Sequence, residues 1–236
     1  MRIVIALCLL AIFCTADATF INIRMRQIQN EKAGIENTIR LLERNRDSVE
    51  QDVDLAIMKQ WLLTMDKYEK YASPILETIR KEVEDAKLRN SNAQQCYDVA
   101  LTTFKNIDYV ATTTARQCQE ISKCSIKENL KFMDNYMNTG LELIKQLDTV
   151  IPDCYQKHSR ITEIIQLHNC ISEQLEIIKI SVKKLKTDAS TAKAISKNAI
   201  DAVIRQYDTC INEAYSTARS NVAEARSTAT KCLNEM

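Results

Sequence analysis

The cysteines are the residues whose type and spacing most strongly indicate chemistry, namely covalent cross-linking. Cys96 and Cys118 bound one segment, Cys210 and Cys232 bound another, and in each the second cysteine follows 22 residues after the first. Laid over one another, the two segments share small residues at five interior positions: Ala100/Ala214, Thr103/Thr217, Ala111/Ala225, Thr114/Thr228 and Ala115/Ala229. This weak internal repeat indicates how the chain is tied together, and it indicates no activity.

The N-terminal residues predict export from the cell. Arg2 supplies a positive charge, residues 3–14 form an apolar run of 12 residues, and Ala16-Asp17-Ala18 offers a cleavage site. The run is well short of the ~20 residues that a membrane-spanning helix needs. We therefore expect a signal peptide over residues 1–18 and a secreted, extracellular product without a membrane anchor. The alternative is an uncleaved anchor or a buried N-terminal helix.

Export changes the cysteine count, because two of the nine cysteines leave with the signal peptide. The seven that remain are Cys96, Cys118, Cys124, Cys154, Cys170, Cys210 and Cys232. Most should be paired in an oxidising compartment, and an odd number leaves at least one thiol that is free or bonds another chain. The sequence does not say which of Cys124, Cys154 and Cys170 that is.

Spacing limits the possible disulfides. Residues 22 apart on one helix are ~33 Å apart, whereas a disulfide needs Cα atoms within ~7 Å. Two antiparallel helices would pair Cys96 with Cys232 and Cys118 with Cys210 in one register. The parallel alternative, Cys96 with Cys210 and Cys118 with Cys232, is geometrically possible but needs a long return path. We favour the antiparallel arrangement because helices joined by short loops pack that way.

No other residues form a catalytic, cofactor-binding or metal-binding constellation in the sequence. The two histidines, His158 and His168, lie ten residues apart, which is not the spacing of a helical metal pair. Carboxylates such as Glu82 and Glu84 are typical of a solvated face. The net charge is +1 without a basic block, which argues against nucleic-acid binding. We therefore expect a protein that is not an enzyme and has no cofactor.

The composition predicts an all-α fold, because only two glycines and two prolines occur in 236 residues. Apolar residues recur every seven positions from Ile21 through Ala56 to Leu63, and a second heptad series runs from Leu76 to Cys118 with Asn90 at a core position. Such series are typical of coiled-coil-like packing, in which a lone Asn fixes the register. We expect an elongated antiparallel helical bundle with long helices, cross-linked by disulfides.

Helix start signals predict where the bundle divides. Ser73-Pro74, Ser125 with Glu128, and Asp153 with Gln156 after Pro152 each indicate a new helix. We therefore expect a long amphipathic helix over residues 19–73 and a cysteine-bearing bundle over residues 74–236. The N-terminal helix would then be free to dock on a protein partner or to form a homodimer, as would the odd cysteine.

Residues 189–231 are rich in Ala, Ser and Thr. Small side chains along a helix permit close approach of a neighbouring helix. The equally acceptable alternative is a solvated helix of marginal stability that depends on its disulfides.

Cysteine and tyrosine spacings link the chain to a known family. The motifs are Gln95-Cys96-Tyr97, Cys118, Cys124, Asp153-Cys154-Tyr155, Tyr207-Asp208-Thr209-Cys210 and Lys231-Cys232-Leu233. Over residues 90–236 the chain resembles the TsetseEP-type domain family of insect secreted proteins. The resemblance implies a secreted, helical, cysteine-bearing protein, and one namesake is linked to the gut and the immune response. The Glu-Pro repeats of that namesake are missing here, so no function tied to them is carried over.

Two functions follow as expectations. The first is a secreted, non-enzymatic module that interacts with a protein or a surface in insect gut, saliva or haemolymph. The second is a carrier of lipid or small hydrophobic ligands, built from amphipathic helices around an apolar interior.

Overall fold

The computed structural model describes the backbone of residues 2–235 and the side chains of residues 19–160 and 162–235. The described backbone forms four α-helices, listed here in chain order: α1 (Arg2–Lys87), α2 (Gln94–Asn129), α3 (Lys131–Lys157) and α4 (Ile164–Asn234). Short 3₁₀ turns at Ser91–Ala93 and Ile161–Glu163 precede α2 and α4. No β-strand occurs within the described backbone. The all-α, disulfide-linked fold is confirmed, while the side chains of the predicted signal peptide, residues 1–18, lie outside the described ones.

The chain forms two compact units, and the division falls inside α1 and α4. Unit 1 combines α1 up to Asp47 with Leu130–Ser196, and unit 2 combines Ser48–Asn129 with the chain from Lys197 onward. Each unit therefore contains three helical segments. The expected boundary between residues 73 and 74 does not occur, because α1 continues through Pro74.

Unit 1 is held by apolar side chains from all three of its helices. Its large buried apolar residues include Ile28, Ile35, Ile39 and Leu42 of α1, Met133, Met137, Leu143, Leu147 and Val150 of α3, and Leu167, Ile171, Leu175, Ile178, Val182 and Leu185 of α4. Antiparallel α1 and α3 are joined by Lys32–Asp148 at 2.7 Å and Arg46–Asp134 at 2.8 Å. In unit 1 the apolar face of the N-terminal helix is therefore already buried, so this part of the helix is not free to dock.

Unit 2 shows a different period along α2. Its buried residues are Cys96, Ala100, Phe104, Ile107, Ala111, Ala115, Cys118, Ser122 and Ile126, so that each of the first six recurs eleven positions later. An 11-residue repeat averages ~3.67 residues per turn, close to the 3.6 of a straight α-helix. The expected heptad series through Tyr97 is therefore replaced by an 11-residue series. In α1 the buried stripe likewise includes Ile57 and Thr64 in place of the predicted Ala56 and Leu63.

Three predicted helix starts are wrong. Pro74 and Pro152 lie inside α1 and α3, and Ser125 lies inside α2. An interior proline costs a hydrogen bond and ~3 kcal/mol. Buried neighbours on both sides, such as Val150 and Cys154 around Pro152, offset that cost.

Asn90 does not lie in a helical core. It precedes the 3₁₀ turn with extended backbone, and its side-chain oxygen accepts a hydrogen bond from the Asn92 backbone N–H at 3.0 Å. This capping interaction competes with helix and allows the chain to reverse between α1 and α2.

Candidate functional site

Two disulfides join α2 to α4 in unit 2. Cys96 is bonded to Cys232 and Cys118 to Cys210, with a Cα–Cα distance of 5.9 Å in each pair. This is the antiparallel pairing that the 22-residue spacing favours. Because both bonds form in one register, Ile107 at the middle of one interval lies level with Asn221 at the middle of the other.

The remaining three cysteines lie elsewhere. Cys154 is bonded to Cys170, which ties the end of α3 to the start of α4 in unit 1, with a Cα–Cα distance of 5.8 Å. Cys124 is a free, exposed thiol on α2.

A cavity of about 580 Å³ lies between α2 and α4 beside the Cys96–Cys232 bond. Its lining is mostly apolar or small: Gln95, Cys96, Val99, Ala100, Thr103 and Ile107 from α2, and Asn221, Glu224, Ala225, Thr228, Ala229 and Cys232 from α4. We call this the larger cavity. Val99, which lines this cavity, is 54% exposed, so its apolar side chain is accessible to a ligand.

A smaller cavity of about 270 Å³ follows toward the Cys118–Cys210 bond. It is lined by Ile107, Val110, Ala111 and Thr114 from α2, and by Cys210, Glu213, Ala214, Thr217, Ala218 and Asn221 from α4. The two cavities share Ile107 and Asn221 and together form what we call the α2–α4 groove.

The two cavities are related by a shift of eleven residues on both helices. On α2 the shift carries Val99, Ala100 and Thr103 of the larger cavity to Val110, Ala111 and Thr114 of the smaller one. On α4 it carries Glu224, Ala225, Thr228 and Ala229 to Glu213, Ala214, Thr217 and Ala218. The groove thus presents one chemical pattern twice, at positions ~16.5 Å apart for a rise of ~1.5 Å per residue.

Each cavity has one formally charged lining residue, Glu224 in the larger and Glu213 in the smaller. Both carboxylates are exposed, and within residues 19–160 and 162–235 neither forms an ion pair. Thr103 donates its hydroxyl proton to the Val99 carbonyl at 2.9 Å, and Thr114 donates to the Val110 carbonyl at 3.0 Å. Because these protons are used within the helix, the two hydroxyls can offer only their lone pairs to another group.

An aromatic cluster fixes α4 against α1 in unit 2. Trp61 Nε1–H donates a hydrogen bond to the Tyr215 hydroxyl at 3.2 Å, and the rings of Tyr215 and Tyr68 have centroids 5.4 Å apart. Burial raises the pKa of Tyr68 to about 12 and also raises the pKa of Tyr215. No residue of α1 lines the α2–α4 groove, so this cluster supports the groove without contributing to it.

An ion pair between Arg226 and Glu82 also joins α4 to α1. The guanidinium donates two hydrogen bonds to the carboxylate, which raises the pKa of Arg226. Arg226 and Glu224 are two residues apart and project from different sides of the helix. In the observed rotation of α4, Arg226 pairs with Glu82 while Glu224 lies at the groove.

Two adjacent polar groups of α4 are buried without compensation. Neither the Tyr207 hydroxyl nor Asp208 Oδ1 has a hydrogen-bond partner among the described residues. Burial raises the pKa of both side chains. An unsatisfied buried hydroxyl lowers stability, which makes Tyr207 an informative position for substitution.

The structure separates the two histidines. His158 ends α3, where its backbone N–H donates to the Cys154 carbonyl at 3.0 Å, and the ring of His168 stacks on Phe20 with centroids 3.7 Å apart. Among the described side chains, no group of three or more His, Cys, Asp or Glu residues is placed to hold a metal ion. In the same part of the chain, no helix is apolar enough over a sufficient length to cross a bilayer.

The repeat between the two cysteine segments marks part of the groove. All but Ala115 of the ten small residues matched between the two cysteine segments line one of the cavities. The repeat misses Val99, Val110, Glu213 and Glu224, which supply the apolar rim and the charge. The available signal was an 11-residue period, since an interval of 22 is two such repeats.

Comparison with known proteins identifies no relative, because no protein-family model, no curated protein and no solved structure matches this chain.

Proposed function

We propose that this chain is a secreted, non-enzymatic carrier that binds a small, largely apolar ligand in the larger cavity of the α2–α4 groove. The single observation that carries the proposal is the cavity of about 580 Å³ lined by Val99, Ala100, Ile107 and Ala225. Ligand sites in proteins commonly have volumes of ~300–1000 Å³ and mostly apolar walls with a few polar groups. The groove has this composition.

The disulfides support the proposal because they pre-organise the groove. Cys96–Cys232 lies at one end and Cys118–Cys210 at the other, so the separation of α2 and α4 is fixed covalently at both ends. A site whose walls are fixed before binding avoids the cost of ordering them around the ligand. Since Val99 is exposed, its burial by an apolar ligand would add hydrophobic stabilisation.

The 11-residue repeat supplies a matched test. Thr228 lines the larger cavity and Thr217 is its equivalent in the smaller one, and both side chains are exposed. Thr228→Phe should fill the larger cavity without altering the core, and Thr217→Phe should fill the smaller one. The fluorescence of N-phenyl-1-naphthylamine, an uncharged apolar probe, measures binding to each variant.

We expect Thr228→Phe to weaken probe binding at least tenfold and Thr217→Phe to change it less than twofold. A wild-type protein that does not bind the probe, or equal losses in the two variants, would refute the assignment. Circular dichroism of both variants confirms that the helices are retained.

The biological setting remains part of the proposal. It depends on the predicted signal peptide, residues 1–18, and on the resemblance to TsetseEP-type proteins, which together favour an insect gut, saliva or haemolymph. Native mass spectrometry of protein recovered from such a fluid would detect a carried ligand as added mass. Protein that is consistently free of added mass would count against a carrier.

A second candidate function, interaction with a protein partner, is favoured by a different surface of unit 2. Leu55, Met58 and Leu62 form an apolar stripe on α1 and are 67%, 53% and 56% exposed. Cys124 offers an exposed thiol for a bond between chains. Non-reducing gels and sedimentation of the wild type and Cys124→Ser test for a covalent homodimer. A monomer in both would exclude that form of association.

A further inference from the structure

We propose that the ligand of the larger cavity is an amphiphilic amine, with an apolar body against α2 and a protonated nitrogen at Glu224. This inference depends on the proposed carrier function and adds the chemical class of the ligand.

Charge is the first argument. Glu224 is the one charged side chain among the lining residues of the larger cavity, and no cation of the described chain neutralises it. A neutral or anionic ligand would leave the Glu224 carboxylate without a positively charged partner. A protonated amine instead forms a charge-assisted hydrogen bond with that carboxylate.

Hydrogen-bond polarity is the second argument. The Thr103 hydroxyl donates its proton to the Val99 carbonyl and so offers only lone pairs to the cavity. The Glu224 carboxylate also accepts only. Gln95, Asn221 and Thr228 also line the cavity and can donate as well as accept, so Thr103 and Glu224 are the two positions that match only a donating ligand group such as an ammonium.

The repeat is the third argument. The same combination of a valine, a threonine whose proton is used within the helix and an ion-pair-free carboxylate recurs at Val110, Thr114 and Glu213 of the smaller cavity. The combination therefore belongs to the 11-residue pattern of the groove and is not confined to one side chain. The smaller cavity, at about 270 Å³, lies below the usual size of ligand sites, so the amine is assigned to the larger one.

The apolar wall defines the rest of the ligand. Val99 and Ile107 on α2 and Ala225 and Ala229 on α4 present no charge. An aliphatic chain or an aromatic ring fills this part of the cavity. The ligand class is therefore an amine with an apolar body small enough for about 580 Å³.

The experiment compares three probes with the same chain and different head groups: octylamine, octan-1-ol and octanoate. The affinity of each is measured by displacement of N-phenyl-1-naphthylamine from wild-type protein at neutral pH. At this pH octylamine is cationic, octan-1-ol is neutral and octanoate is anionic. We expect octylamine to bind about fivefold more tightly than octanol, as for an exposed charge pair, and octanoate to bind most weakly.

Glu224→Gln removes the charge and keeps the shape of the side chain. In this variant the preference for octylamine over octanol should fall below twofold. Glu213→Gln makes the same change in the smaller cavity and should retain the wild-type preference.

The outcomes separate the two proposals. Octanol binding as tightly as octylamine to wild type, or a preference unchanged by Glu224→Gln, overturns the amine assignment and leaves the carrier function standing. Failure of the fluorescent probe and of all three ligands to bind overturns both.

Discussion

Removal of the Cys96–Cys232 disulfide should cost unit 2 about 4 kcal/mol of unfolding free energy. The bond closes a loop of 136 residues along the chain, but with Cys118–Cys210 intact it closes only the ring formed by the two 22-residue intervals. In the chain-entropy model a ring of about 44 residues contributes ~4 kcal/mol, whereas the full loop contributes ~5 kcal/mol. The structure therefore predicts that the two bonds are not additive.

The assay is urea unfolding followed by the fluorescence of Trp61, the single tryptophan of the chain, which lies in unit 2. The double variant Cys96→Ala/Cys232→Ala gives the cost with the second bond present. The same change in a chain that already lacks Cys118–Cys210 should cost ~1 kcal/mol more.

The control is Cys154→Ala/Cys170→Ala, which removes the disulfide of unit 1 and leaves both disulfides of unit 2 in place. A loss below ~1 kcal/mol on removal of Cys96–Cys232 would refute the reasoning, because the ring would then contribute almost nothing. An equal cost in the two backgrounds would refute the nested arrangement.

Three further predictions follow from single side chains. Tyr207→Phe should raise the unfolding free energy by ~1 kcal/mol, because it deletes a buried hydroxyl without a partner among the described residues. Tyr215→Phe should lower the unfolding free energy by ~1 kcal/mol, because the hydroxyl of Tyr215 accepts a hydrogen bond from Trp61. Urea unfolding measures both changes, and the reverse order would contradict the assignment. Gly34→Ala should stabilise the protein by up to ~1 kcal/mol, since the added methyl meets only the flexible end of Lys186. Gly140→Ala should destabilise the protein, because its methyl would lie 3.0 Å from Ile39. Thermal unfolding that ranks the two variants the other way would show that unit 1 is packed differently. Burial raises the pKa of Tyr68 from 10.0 to about 12, so the tyrosine loses its proton at lower pH in the unfolded state than in the folded state. The contribution of Tyr68 to the unfolding free energy should therefore be fully present below pH 10 and fall between pH 10 and 12 by up to ~1.4 kcal/mol per pH unit. Phenolate absorbance that titrates fully near pH 10 while the helices persist would disprove the burial.

The helical fold and the cross-links could be predicted from the sequence because they depend on composition and spacing. Two glycines and two prolines leave little alternative to helix, and an interval of 22 residues fixes two cysteines on one face of a helix. Pairing between antiparallel helices then follows from the length of a disulfide.

The helix boundaries could not be predicted because local signals compete with packing. Pro74 and the Ser125–Glu128 pair indicate helix starts, yet α1 and α2 continue through them. The offsetting contribution comes from side chains buried on partner helices, which the local sequence does not reveal. Asn90 shows the converse, since its side chain caps a turn at a position that the heptad count assigns to the core.

The groove could be predicted only in part. The matched alanines and threonines of the two cysteine segments are its walls, but their role depends on the 5.9 Å approach of α2 and α4 at the disulfides. In the sequence, Glu224 cannot be distinguished from any other solvated carboxylate. Only the structure shows that it lines the same cavity as Val99 and Thr103 of the neighbouring helix.

The most direct test of ligand binding in the groove is chemical-shift mapping of the isotope-labelled protein with octylamine. Binding in the larger cavity predicts that the perturbed backbone amides cluster at residues 95–107 of α2 and 221–232 of α4. Perturbation centred on Leu55, Met58 and Leu62, or no perturbation at saturating octylamine, would contradict it.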